Sequence, residues 1–397
     1  MKSDIFILIP CHTVDSYKHL KLKTSDLIDD FAINYIRNMR DIAQSELVER
    51  VSNIFERYYL GEYTLPILGD ALKGKEVVSL ARIKLFITVC ERTKLSVLTG
   101  IICDFEGNVT NVLDQITREQ LVLDLNTRFT NLSAFLQEEY NIIKNGEAKT
   151  CLTQSTLAES DEIIYYMANE TNESQLVVNT KIISEKYKKF AIDNLAVYDF
   201  SDIYVSEATI YQVLSENFSS EKMQYEGLLI FIVELLVMQL SAVYRTNNKV
   251  SLALEENKSI NVKEYEILSN EFANTLSIWQ INIYRYKGAQ TIANAIAERF
   301  EIDKVRKNYK QNDEFLQSII NTRNVKNSIK ESNILFYVAI LLFIKDFYII
   351  VRNIYLFIVE SQSFSFGDVF SLSTSFVILL IVLFIYHGRT KKLGSRK

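Results

Sequence analysis

Proline is nearly missing from this chain: Pro10 and Pro66 are the only two in 397 residues, and none follows Pro66. Glycine is also sparse at eleven, so turn signals are few and long uninterrupted helices are favoured. Four cysteines (Cys11, Cys90, Cys103, Cys151) show neither CxxC pairing nor disulfide-like spacing, which points to reduced thiols in a cytosolic setting. Three histidines leave few general bases. The cluster Pro10-Cys11-His12, with His19 seven residues on, is a weak metal pattern beside ordinary core and surface residues. GxSxG, HExxH and paired zinc-ligand motifs are absent. LGDALKGKEV (68–77) has Gly69, Gly74 and Lys75 but neither the Walker A spacing nor its trailing Ser or Thr. No enzyme is expected. MKSDIFILIPCH has too short an apolar run for a signal peptide and no small-residue cleavage site, so most of the chain is expected to stay inside the cell.

What the chain does have is apolar and aromatic mass. There are 22 Tyr and 23 Phe, and the mean hydropathy of +0.04 is high for a soluble protein of this length. The net charge of −5 hides an asymmetry, because the last ten residues, GRTKKLGSRK, carry +5 and leave −10 before them. An acidic main body disfavours binding to nucleic acid polymers.

Strand signals lie at 4–10, at 82–90 and 94–103 (a hairpin), at 175–183 and at 197–206. Residues 25–60 repeat apolar positions at three- and four-residue spacing, as an amphipathic helix does. From Glu221 the strand signals fade. Residues 261–333 read as helix almost throughout, with Gly288 inside. Val305, Tyr309, Leu316, Ile319 and Ile320 form a stripe that runs on into a more apolar segment. That predicts one rigid stalk helix; the alternative is two packed helices with a break near Glu301.

Two segments qualify as membrane spans. The first, 334–359, is about 39 Å long as a helix, and the second, 369–386, about 27 Å with no charged side chain. Arg323, Lys326 and Lys330 precede the pair and Arg389, Lys391, Lys392, Arg396 and Lys397 follow it, whereas the connecting loop carries only Glu360 and Asp368. Both chain ends are therefore expected to be cytosolic. A third stretch, 227–244, is long enough to span but is interrupted by Glu234 and Gln239, and it reads as a buried helix of the soluble part, with membrane insertion as the alternative.

The first span carries Lys345, Asp346 and Arg352, each costing roughly 3 kcal/mol at a bilayer centre. Asp346, Asn353 and Glu360 recur every seven residues and so share one stripe, drifting about 20° per heptad. Lys345 and Arg352 form a second stripe. In a ring of such helices the first stripe lines a pore that selects cations. The alternative is that Lys345 and Asp346 pair between helices and only fix subunit packing, with Arg352 snorkelling or joining such pairs. Phe343, Phe347 and Phe357 are candidates for a dewetting gate, with lipid contact as the alternative.

The stalk-to-membrane stretch DEFLQSIINTRNVKNSIKESNILFYVAILLF (313–343) and the tail YHGRTKKLGSRK (386–397) resemble the CorA superfamily of metal-ion transporters. The resemblance covers roughly 221–397. It implies an α+β cytosolic domain (1–220), a helical region and stalk (221–333), a transmembrane hairpin (334–387) and a basic cytosolic tail (388–397). It also implies a homo-oligomer, a pentamer, in a bacterial inner membrane. The Gly-Met-Asn hallmark at the outer end of the first span is missing, and FIVESQSFSFGD (357–368) stands there instead. That is similar to the CorA-like effectors associated with type III CRISPR systems. It implies gating by a nucleotide second messenger, SAM-AMP or a cyclic oligoadenylate, in anti-phage defence. A divalent-cation transporter with a divergent filter and a non-conducting membrane-anchored binding protein remain alternatives. The pocket for a ligand is not legible in the sequence; Arg82, Arg245 and Arg285 are arbitrary choices among many cations.

Overall fold

The computed structural model describes residues 2–13, 20, 29–48, 54–69, 77–90, 93, 95–125, 128–154, 163, 167, 195, 201–214, 222–255, 283–360, 367, 370, 373, 374 and 377. The chain divides into two compact units, Met1–Asp313 and Glu314–Lys397.

The first unit is built on one mixed sheet. Its strands are β1 (Ser3–Thr13), β2 (Phe55–Leu68), β3 (Val77–Cys90), β4 (Leu95–Phe105), β5 (Val122–Asp124), β6 (Phe129–Asn131), β7 (Ile142–Lys144), β8 (Lys149–Gln154), β9 (Ser201–Val205) and β10 (Thr209–Leu214). They lie in the order β6-β5-β2-β3-β4-β1-β8-β10-β9, with β7 beside β1. The β8–β10 pair is parallel and the other pairs are antiparallel. The expected 82–90/94–103 hairpin is β3–β4, and Ile83, Leu85, Ile87 and Val89 all point into one core, as strict alternation requires. Of the other strand expectations, 4–10 falls in β1 and 201–205 is β9, whereas 175–183 lies outside the described residues.

Helices cover both faces of the sheet. Ile5, Ile7 and Ile9 of β1 pack with α2 (Val109–Thr117) and α3 (Leu132–Tyr140), while Phe6 and Leu8 face α1 (Asp30–Glu46), α4 (Lys222–Glu255) and α5 (Lys287–Arg299). This three-layer arrangement gives each face of the sheet its own core. α1 starts at Asp29, whose carboxylate accepts from the Ala32 amide at 2.6 Å and from Lys84 Nζ at 2.7 Å.

The helix expected over 25–60 is corrected: α1 ends at Glu46, and Phe55–Leu68 is strand β2. The aromatic run Phe55-Glu56-Arg57-Tyr58-Tyr59-Leu60 sends Tyr58 and Leu60 into one core and Tyr59 into the other, and pairs with β3 along its length. Cross-strand pairing of this kind outweighs a local helical spacing. Gly61 has φ +117° where the register slips between Tyr59 and Gly61, a bulge that a side chain would strain.

The unbroken helix expected over 261–333 is corrected in the same way. Tyr284 bridges to Leu47 in extended geometry, α5 follows, and Glu301 at φ +52° ends it. The next helix, α6, then runs from Ile302 to Glu360. The break near Glu301, the alternative reading of this stretch, is what the structure shows, and α6 begins just after it.

Candidate functional site

α6 carries every residue singled out for the first span. Asp346, Asn353, Glu360 and Phe343 lie on it, but their side chains lie outside the described residues. Lys345 and Arg352 are exposed. Around them Leu335, Leu341, Ile344, Phe347, Ile349, Ile354 and Ile358 are exposed as well, with Leu341 at 67% and Ile358 at 72%. Phe347 and Ile349 are two residues apart and so nearly opposite on the helix, which means that the apolar surface is not a single stripe. A helix apolar on opposite sides belongs inside a core or a bilayer. Of the stretch 369–386 expected as a second span, Phe370, Ser373, Thr374 and Val377 are helical, with Thr374 Oγ1 donating to the Phe370 carbonyl. The rest of it lies outside the described residues.

Among the described residues one helix has the length and apolarity of a span, Tyr225–Arg245 within α4, with 89% of its most apolar 18 residues buried, whereas in α6 the apolar helix found among the described residues is the shorter Phe347–Leu356. The charge within the α4 stretch is answered inside the protein. Glu234 Oε2 accepts from Arg57 Nη2 of β2 at 2.6 Å, while Oε1 accepts from Thr99 of β4 at 2.8 Å and Thr88 of β3 at 3.2 Å. The two ionic side chains are 4% and 1% exposed, and the Arg57 guanidinium lies 5.4 Å from the centre of the Phe231 ring. Three strands thus supply donors at the point where the helix brings a carboxylate. A buried pair contributes little net stability when intact, yet its half-removal strands a charge.

Two of the cavities bounded by described residues lie in the Met1–Asp313 unit. The larger, 360 Å³, lies between Asp4, Phe6, Phe31, Tyr35, Asp104 and Glu226. Burial pushes the Tyr35 phenol well above its ordinary value, and its hydroxyl has no hydrogen-bond partner among the described residues. The second, 340 Å³, lies where α4, α5 and the first turns of α6 meet, against Gln239, Tyr284, Asn294, Glu298, Asp303 and Arg306. Arg306 Nη2 donates to Gln239 Oε1 at 2.6 Å and Nη1 to Asp303 Oδ1 at 3.3 Å, and Nε is buried with no partner among the described residues. Burial raises the Tyr284 phenol above its ordinary value.

Neither cavity is lined by Arg82, Arg245 or Arg285. Arg82 is exposed on β3, Arg245 donates to the Thr93 carbonyl at 3.4 Å, and Arg285 donates from its amide to the Glu46 carbonyl and from Nη2 to that of Leu47. Arg306 was not anticipated. The one sequence signal for its cavity was Gln239, an amide interrupting an apolar helix. No group of three or more metal-ligating side chains occurs among the described residues, and His12 Nδ1 is 2.6 Å from Asn145 Oδ1 instead. Burial pushes the Cys11 thiol up to about 12 and Cys151 further, so both stay protonated and inert. The Walker-like stretch joins β2 to antiparallel β3, strand to strand, which is the wrong setting for a phosphate loop.

Comparison with protein-family models, with curated proteins and with solved structures found no match for this chain. The CorA-like resemblance therefore rests on the sequence stretches 313–343 and 386–397 alone.

Proposed function

We propose that the chain is a homo-oligomeric membrane channel effector of CorA-like layout, gated by a small nucleotide and acting by ion leakage or membrane disruption in anti-phage defence. The observation that carries this reading is α6. It begins in the Met1–Asp313 unit beside a cavity and continues, without a proline or glycine, into an apolar stretch exposed on opposite sides. Such a helix can pass a change at its root to its far end. Lys345, Asp346 and Arg352 make that stretch a poor lone span, at roughly 3 kcal/mol each, and so favour assembly with copies of itself. Asp346, Asn353 and Glu360 then face the water column, and Lys345, Arg352 and Phe343 serve subunit pairing or the gate. A pentamer follows the resemblance.

The test is reconstitution of the full chain in liposomes with dye and ion efflux as readouts, with SAM-AMP and cyclic oligoadenylate added separately. The expected result is nucleotide-dependent efflux that Asp346→Asn and Glu360→Gln alter. Divalent-cation uptake with no nucleotide present would favour the transporter instead. No conduction under any condition would leave a membrane-anchored binding protein. A strictly monomeric chain in detergent and in nanodiscs would end the pore reading.

A further inference from the structure

The cavity at the root of α6 has features that select a ligand. Its one cation, Arg306, has a buried Nε–H without a partner among the described residues, which leaves one arm of a planar fork suited to a carboxylate or a phosphate monoester. The walls add Tyr284 as an aromatic surface, Leu236, Ile283 and Ile302 as apolar contacts, and Asn294 with Glu298 exposed on α5. Glu298 and Asp303 outweigh the single arginine in charge, so a polyanion is repelled while an amine donor is welcome. At 340 Å³ the space falls at the lower end of small-molecule sites, which begin at roughly 300 Å³.

We propose that this cavity binds a small nucleotide with one anionic group and an amino-bearing base, and that the ligand takes Arg306 from Gln239. This rests on the ligand-gated reading above and assigns its site. The anionic group engages Nε and competes for Nη2, the atom that now donates to Gln239 at 2.6 Å. Glu298 and Asn294 accept from the amino group of the base. Gln239 belongs to α4, which is locked against the sheet through Glu234, whereas Arg306 belongs to the second turn of α6. Their hydrogen bond is thus a latch between the fixed core and the helix that leads to the proposed span. Ligand binding opens it.

The experiment is isothermal titration of AMP, as the smallest probe of this class, into the full-length protein in nanodiscs, with efflux measured separately. AMP should bind the parent chain. Arg306→Lys, which keeps the charge and loses the fork, should bind at least tenfold more weakly, as expected for loss of a charged hydrogen bond. Gln239→Leu, which cuts the latch and keeps the arginine, should bind AMP more tightly and leak without ligand. Failure of the parent chain to bind AMP overturns the proposal, as does unchanged affinity in Arg306→Lys. Variants that lose thermal stability with no change in binding assign Arg306 a structural role only and also overturn it. Binding that follows this pattern without any efflux removes the channel and keeps the site. Nucleotide-dependent efflux indifferent to both variants does the reverse.

Discussion

The Arg57–Glu234 pair explains how a helix as apolar as a membrane span keeps a carboxylate. Removing one partner leaves the other buried without its counter-charge, so Glu234→Ala should cost about 3–5 kcal/mol and lower the thermal midpoint of the purified protein sharply. A paired Arg57→Met/Glu234→Leu replacement should recover most of that loss; if the double variant melts as low as the single one, the pair does more than balance charge. Asp29 makes a smaller contribution of the same kind. Burial would raise its carboxyl, but Lys84, the Ala32 amide and Tyr59 hold it below the usual carboxylate range. Its folded pKa is depressed, so its stabilising effect is present above the unfolded pKa and fades as pH falls through the folded one. Asp29→Ala should remove an N-cap worth about 1 kcal/mol at neutral pH, with the difference from the parent shrinking in acid denaturation series.

At the level of elements, α1 and α4 approach closely at Gly227. A Cβ there would lie 2.7 Å from Ile42 Cδ1 and 2.8 Å from Asn38 Nδ2. Gly227→Ala should therefore destabilise by about 1–3 kcal/mol although alanine is the better helix former, and Ile42→Val, which removes Cδ1, should restore part of it in a thermal shift series. The elements that the sequence disclosed were those whose pattern is set by a single face. β3 alternates cleanly and 227–244 of α4 is apolar but for Glu234 and Gln239, so both were legible. β2 was not, because Phe55–Leu60 is aromatic at a spacing that serves a helix as well as a strand, and only the partner β3 decides between them. Glu301 was legible only as an alternative, since nothing but its left-handed φ marks the break before α6. The cavity at the root of α6 was invisible for a simpler reason. Its residues come from α4, the 283–284 bridge, α5 and α6, and no local spacing brings Gln239 to Arg306.

For the whole molecule, the proposed channel makes the two ends of α6 answer for each other. Charge-neutral Asp346→Asn and Glu360→Gln should change ion selectivity in reconstituted bilayers while leaving AMP affinity within error, and Arg306→Lys should do the opposite. If all three variants move both quantities together, the two ends are not separable functions.

The burial of α4 also bears on how the chain is made. To the insertion machinery at the membrane, Tyr225–Arg245 offers the same apolar length as a genuine anchor, and a mid-helix charge at about 3 kcal/mol is the strongest local mark against lateral release into lipid. Arg57, Thr88 and Thr99 all precede Glu234 in the chain, so they have left the ribosome before the carboxylate needs them. The acid that settles α4 in the finished fold is thus also the local feature that most disfavours this stretch as a membrane span.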